Sequence, residues 1–409
     1  MANSYINTKS ALKKLQFGTE KCHKMHIGKH KIEEICPDLF VEGWKMSEVE
    51  EINTEKVVIE EAYDGFCKME EVSEDKYLGD ILSVDGKNLK NIIARRNRGT
   101  GSVNQILSIL DEICFGKYFF EVARILRNSL LISSLLSNSE AWYNLTTDDL
   151  NKLEQVDESL LRGFLECPVS TPKEMLYLEL NCIPIRFIIM SRRLNFLHYI
   201  LNEEESSLIF NFFLAQLEQP SRQDWCHTVV EDLKTLKMNL KLSEIRKLSK
   251  VAFKKIVKDK IEEEALKYLN DIKARHSKVR HIEHTKMKMQ DYLRPEDNIS
   301  IDEAKFLFQL RTRMLDVRKN YEGKYKDLMC PVCNLVEDTQ PHLIECLKLS
   351  DNDLVDKVPE YNDLFGKDLK TKVKTSRILR RRYQKRKEIE SKQAKEETSQ
   401  TNLAQVIQM

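Results

Sequence analysis

Apolar positions in residues 88–201 recur at helical spacing almost without interruption. Val103, Ile106, Leu107, Ile109, Leu110 and Ile113 form one stripe, and Phe119, Val122, Ala123, Leu126 and Leu130 form another. Leu150, Leu153, Val156, Leu160 and Phe164 continue the pattern after Thr146-x-x-Asp149, a capping-box helix start. Thr171-Pro172-Lys173-Glu174 predicts another start, with cap, first-turn proline and capping acid in sequence. Pro184 opens the next helix, whose Phe187, Ile188, Leu194, Leu197 and Ile200 face inward while Arg192 and Arg193 sit near its middle. Together these stripes predict a compact helical bundle.

The flanking segments read differently. In Lys21–Gly28 the alternation of His23, Met25 and Ile27 predicts a strand ended by glycine. His23, His26 and His30 with Cys22 and Cys36 do not read as a metal site, because adjacent strand residues face opposite ways. Residues 46–76 are acidic and predicted to be loop. Tyr77-Leu78-Gly79-Asp80-Ile81-Leu82 predicts a short strand that turns at Asp85-Gly86. Residues 202–299 are rich in lysine, including Lys254, Lys255, Lys258 and Lys273. Ser300-x-x-Glu303 caps a helix expected to run to Val317, with Phe306, Leu307, Leu310 and Leu315 inward and Arg311, Arg313 and Arg318 outward. After about Lys370, a run through Arg382 and Arg386 predicts a basic helix fraying into disorder and used for surface electrostatic contact.

Composition narrows this picture. Glycine (12) and proline (9) are too scarce for the many tight turns of a barrel or sandwich. Lys+Arg (66) nearly cancels Asp+Glu (65), so nucleic-acid binding would have to come from local patches rather than a global field. No apolar run reaches the roughly eighteen residues that span a bilayer, and the first residues lack the apolar core of a signal peptide. The expectation is an intracellular protein, nuclear and/or cytoplasmic, with no membrane partner and with reduced cysteines.

One stretch demands a particular chemistry. Cys330-Pro331-Val332-Cys333 is followed by His342 and, four positions on, Cys346. A tight turn presents the first two thiols and one face of a short helix presents the imidazole and the third thiol, which together complete a tetrahedral Zn²⁺ shell. With all four positions filled by protein, such a site holds structure and leaves no open position for a reactive water. The fold class expected is therefore mainly α: a helical bundle with a small α+β N-terminal part and a C-terminal zinc knuckle. The expected divisions are residues 1–87, 88–201, 202–299, 300–350 and 351–409.

Several of these stretches together resemble the C-terminal part of non-LTR retrotransposon reverse transcriptases. Lys21–Gly28 resembles the late palm strand, and Tyr77-Leu78-Gly79 with Asp85-Gly86 resembles the primer-grip hairpin. Glu140-Ala141-Trp142-Tyr143, Leu176–Leu180 and Arg192-Arg193-Leu194 are similar to the thumb, and Phe308–Met314 leading to the Cys/His cluster is similar to the terminal knuckle. The resemblance spans roughly residues 10–350. It implies a thumb-like bundle that grips RNA and RNA/DNA hybrid as template and primer. Tyr77, Leu78, Gly79, Arg192, Arg193, Lys254, Lys255, Lys258, Arg311 and Arg313 are the expected nucleic-acid contacts.

The catalytic part of that family is not matched. Its chemistry needs paired carboxylates holding two metal ions, and the sequence has no aromatic-x-Asp-Asp box; Tyr63-Asp64-Gly65 lacks the second acid and Asp148-Asp149 reads as a helix start. The fingers and most of the palm are missing as well. Bound Mg²⁺ and polymerase activity are accordingly not expected. The alternative class is a non-catalytic helical adaptor whose zinc module presents an RNA- or protein-binding surface; oligomeric state is left open.

Overall fold

The computed structural model describes residues 23–25, 40–52, 55–68, 70–77, 79–113, 116–221, 224–294, 299–350 and 360–407. It divides into two units, residues 1–95 and 96–409.

The first unit is built on strands. β1 (His23–Lys24) pairs in parallel with β4 (Glu70–Glu71); beyond Met25 and before His23 the predicted Lys21–Gly28 strand lies outside the described residues. β2 (Phe40–Ile52) and β3 (Glu55–Lys68) form a long antiparallel hairpin where loop was expected. The acidic count of this stretch obscured β-favouring residues such as Val57, Val58, Ile59 and Tyr63. β5 (Glu74–Tyr77) and β6 (Asp80–Ser83) form a second hairpin, and it turns at Gly79 rather than at Asp85-Gly86. Gly79 has φ of 91°, a conformation that favours glycine. Gly86 instead closes a turn onto Ser83 that leads toward α1 (Leu89–Glu112). Arg95 anchors the hairpin through a partly buried 2.6 Å ion pair to Asp80.

The second unit is mainly helical. After α1 come α2 (Phe119–Leu126), a π-helical turn (Arg127–Leu131), α3 (Ile132–Leu135), α4 (Thr147–Leu165), α5 (Lys173–Leu180) and α6 (Ile185–Leu201). Most of the predicted stripe positions enter this core, among them Val103, Ile106, Leu110, Phe119, Ala123, Leu153, Val156, Leu160 and Phe164, while Ile113, just past the end of α1, is half exposed. The Thr146/Asp149 capping box forms, and Pro184 caps α6. α1 and α4 approach closely at Gly163, where a Cβ would fall 2.7 Å from a Leu107 methyl. The Thr171 cap does not form. Pro172 takes the cap position itself, which leaves the Thr171 hydroxyl one residue too early to reach the first-turn amides.

α7 (Leu208–Glu218), α8 (Trp225–Thr235), α9 (Leu242–Lys247) and α10 (Lys250–Lys273) extend the bundle. They share an apolar core with α6 that runs from Phe187 and Leu197 through Phe213 and Val229 to Phe253 and Ala265. The lysine-rich segment is thus part of a packed body. Lys273 in particular is buried and donates to Ile282 O and, at 3.1 Å, to His284 Nδ1.

α11 (Ile301–Arg311) begins at the expected Ser300/Glu303 box but stops six residues before Val317. Thr312 turns its hydroxyl back onto Phe308 O (2.8 Å), and Arg313 adopts the left-handed φ of 57° that ends the helix. A short α12 (His342–Glu345) and a long α13 (Leu369–Ile407) follow. The basic tail is therefore a helix, and its Arg382 and Arg386 are buried rather than displayed. No described helix is long and apolar enough to cross a membrane.

Candidate metal centre and basic cleft

The four residues singled out by spacing converge. One donor atom from each of Cys330, Cys333, His342 and Cys346 lies within 4.8 Å of all the others, and Cys333 Sγ is 3.3 Å from His342 Nε2. A tetrahedral Zn²⁺ with bonds of about 2.0–2.3 Å sets its ligand atoms about 3.3–3.8 Å apart, a spacing that the Cys333–His342 pair already has and that the outer limit exceeds by about 1 Å, so the set could close on an ion by drawing inward. Local backbone explains the convergence. Cys330 N donates to Val336 O (2.8 Å), Asn334 N returns to Cys330 O (2.9 Å), and Asn334 takes a left-handed φ of 57° that folds the Cys-x-x-Cys turn back. On the other side, Thr339 Oγ1 accepts from His342 N (3.1 Å), and α12 brings Cys346 N onto His342 O (2.8 Å).

Burial works to raise both thiols of the turn, and it holds Cys330 above the ordinary range. At Cys333 the same penalty is outweighed by the Leu335 amide, His342 and the Val336 amide, which hold that thiol below its usual value. Donors aimed at a sulfur favour the thiolate, the form that binds metal. These four residues can hold a metal ion.

The module is clamped from outside by α13. Arg386 donates to both carboxylate oxygens of Asp338, with no solvent exposure of either side chain. Arg382 donates to the carbonyls of Leu343 and Ile344, at the end of α12. Gln340 ties the ligand loop to Leu310 O (3.0 Å) and Tyr361 Oη (2.9 Å). None of these partners was visible by spacing, because each lies 20 or more residues from its mate.

The expected nucleic-acid contacts separate into groups. Arg193 is buried in a bidentate pair with Asp232 (2.6 and 2.8 Å) and also reaches Trp142 O, so it braces α6 against α8 and is not free to meet phosphate. Arg311 is likewise buried, held by Glu179 (3.1 Å) and Leu364 O (2.7 Å). Arg313 is half-buried with its guanidinium over the Tyr361 ring. Tyr77 is exposed beside the Gly79 turn in the first unit, and Leu78 lies outside the described residues. Lys255 and Lys258 are exposed on α10, where Lys258 lies 3.8 Å from Glu262.

Arg192 and Lys254, far apart in sequence, line one open cleft of about 860 Å³. Lys250, Ser249, Glu140, Phe196, Tyr199 and Glu203 share its walls. Arg192 leans on Leu136 O and Ser139 Oγ, and burial lowers its affinity for its proton. Ser249 caps α10 through Ala252 N, and the first turn of that helix carries no acid.

No protein-family model, curated protein or solved structure matches this chain.

Proposed function

We propose that the chain is a nucleic-acid-binding module without polymerase activity, folded in its C-terminal part around structural Zn²⁺ at Cys330, Cys333, His342 and Cys346. It would hold RNA or RNA/DNA hybrid as the thumb and knuckle of a non-LTR retrotransposon reverse transcriptase hold template and primer. The observation that carries this reading is the cleft at the start of α10. Lys250 and Lys254 stand there in the first turns of a 24-residue helix, at its positive end, and Arg192 lines the same cleft. Among the described residues no carboxylate forms an ion pair with Lys250, Lys254 or Lys255, whereas Lys260 is paired to Glu263 at 2.7 Å. Cations left unpaired at a helix N-terminus favour phosphate. The zinc half of the proposal rests on the donor set: three thiols and an imidazole fill a closed tetrahedral shell, which suits a structural ion.

Binding of a labelled RNA/DNA hybrid across a salt series tests the reading. Affinity should fall with a log–log slope of about −0.7 to −0.9 per phosphate contacted, and Lys254→Glu should flatten it. A salt-independent response, or no binding at low salt, overturns it.

The adaptor reading has its own support on α7, where Leu208 and Phe212 are 74% and 62% exposed. Apolar side chains displayed together on one helix suit a protein contact. Their partner would be sought by the same protein under conditions where nucleic acid fails to bind.

A further inference from the structure

The cleft is larger and less uniformly basic than a track for phosphates requires. At about 860 Å³ it lies within the range of ligand pockets, roughly 300–1,000 Å³. Its lining is mixed in character. Lys250, Lys254 and Arg192 share it with Glu140, Glu203, Asn195 and Asn202, which would repel or ignore a phosphate. The same lining includes an aromatic pair. Phe196 and Tyr199 are nearly parallel, at 10° with centroids 5.9 Å apart, and Trp225 meets Phe196 edge-on at 5.7 Å. Trp225 is fixed in turn by its indole N–H on Glu140 O (2.8 Å). The inner rings are thus held in place while Tyr199, at the outside, stays 51% exposed.

We infer that this cleft takes one unstacked base of a nucleic-acid strand against the Phe196/Tyr199 rings, with the flanking phosphates on Lys250 and Lys254. The inference rests on the nucleic-acid reading above and adds a base site to it. A base offers a flat π-face to an aromatic platform, whichever base it is. Asn195 and Asn202 spend their Nδ2 groups on the carbonyls of Ser191 (2.6 Å) and His198 (2.8 Å) of their own helix, which leaves their side-chain oxygens to accept. With Glu140 and Glu203 they make an acceptor-rich rim that suits the amino edge of adenine or cytosine. His198 takes no part: its ring stacks on Phe253 and its Nε2 meets Leu248 O at 2.9 Å.

The test uses the full chain with two probes, fluorescein-labelled oligoadenylate RNA and an abasic ribose-phosphate strand of the same length. Tyr199→Ala should weaken oligoadenylate binding by about tenfold, the size of one lost stack, and leave the abasic strand unchanged. Tyr199→Phe, which keeps the ring but gives up the hydroxyl's hydrogen bond to Glu203, should retain the preference for oligoadenylate over the abasic strand. Lys254→Ala should weaken both strands alike. Equal binding of the two strands by the parent, or equal losses on both from Tyr199→Ala, overturns the base site while leaving phosphate binding standing. Binding of neither strand removes the nucleic-acid reading and the base site with it.

Discussion

Glu179 and Arg311 meet in the interior across 132 residues of sequence, Oε1 to Nη2 at 3.1 Å. The carboxylate also accepts from Tyr292 Oη (2.7 Å) and pairs with His284 Nε2 (3.2 Å), and its main-chain oxygen accepts from Gln290 N (3.0 Å). One residue of α5 therefore gathers the segment after α10 and the end of α11. Burial by itself would raise the Glu179 carboxyl, but Arg311 and then His284 and Tyr292 overcome it and hold the group at about 2.

Glu179→Gln should cost about 3–5 kcal/mol in chemical denaturation, because it leaves the Arg311 guanidinium buried without its counter-charge. The pH dependence has a definite sign. A carboxyl whose folded value is depressed from 4.5 to about 2 stabilises the fold fully above 4.5 and loses that contribution as pH falls toward 2. The stability gap between parent and variant should accordingly narrow over that window. A gap that stays constant from neutral pH down to about 2 would show that the charge of Glu179 is not what holds these segments.

Arg386→Met should separate α13 from the metal module. It removes both Arg386 donors from Asp338, whose carboxylate then keeps, among the described residues, the Arg318 amide at 2.8 Å. Loss of one partner from a buried pair costs about 3–5 kcal/mol. Hydrogen exchange should accelerate in residues 369–386 while the amides of α4 and α6 keep their protection. Equal acceleration in α4 would mean that the helix is integral to the bundle core instead.

What was legible in the sequence was what is local. The stripe from Leu153 to Phe164, the boxes at Thr146 and Ser300, and the Cys330–Cys346 spacing each depend on residues within a turn or a short loop of one another. The ion pairs Arg193–Asp232, Arg311–Glu179 and Arg386–Asp338 join residues 39, 132 and 48 positions apart. A charged side chain looks the same in a sequence whether it faces water or a distant partner, so these arginines read as free surface cations. The cleft was legible by half: Arg192 and Lys254 were named for their charge, whereas Phe196 and Tyr199 lie outside the inward-facing set that the helical spacing picks out and carry no local signal of their own. The β2/β3 hairpin was hidden because its many glutamates outweighed its alternation by eye, while cross-strand pairing decided the structure.

No primer extension is expected from the purified chain. Two-metal phosphoryl transfer needs carboxylates close enough to share a pair of ions, and Asp149, the second acid of Asp148-Asp149, instead closes a capping box with Thr146. Extension on a poly-A template, with magnesium and manganese supplied separately, is the measurement. Product above a heat-treated control would mean that another set of acids does the chemistry.

Removing the metal should unfold more than the ligand loop. Structural Zn²⁺ in small modules supplies on the order of 10 kcal/mol of apparent folding free energy, and the loop from Asn334 to Pro341 has little apolar surface to replace it. Asp338 and the carbonyls of Leu343 and Ile344, which receive Arg386 and Arg382, belong to that same loop and helix. Once they move, two buried guanidiniums on α13 lose their acceptors together, so chelation should release α13 along with the segment after about Tyr321. The helices from α6 to α10 have their own core around Leu197, Phe253 and Val257 and should stay resistant to protease. Cys333→Ser should reproduce the pattern without chelator, and metal analysis should find one zinc per parent chain and markedly less in the variant. Zinc-free protein prepared under reducing conditions with an unchanged digest would show that the four residues are not a metal site. Zinc-dependent protection of the loop alone, with α13 equally resistant throughout, would show that the Arg386–Asp338 pair does not couple the two.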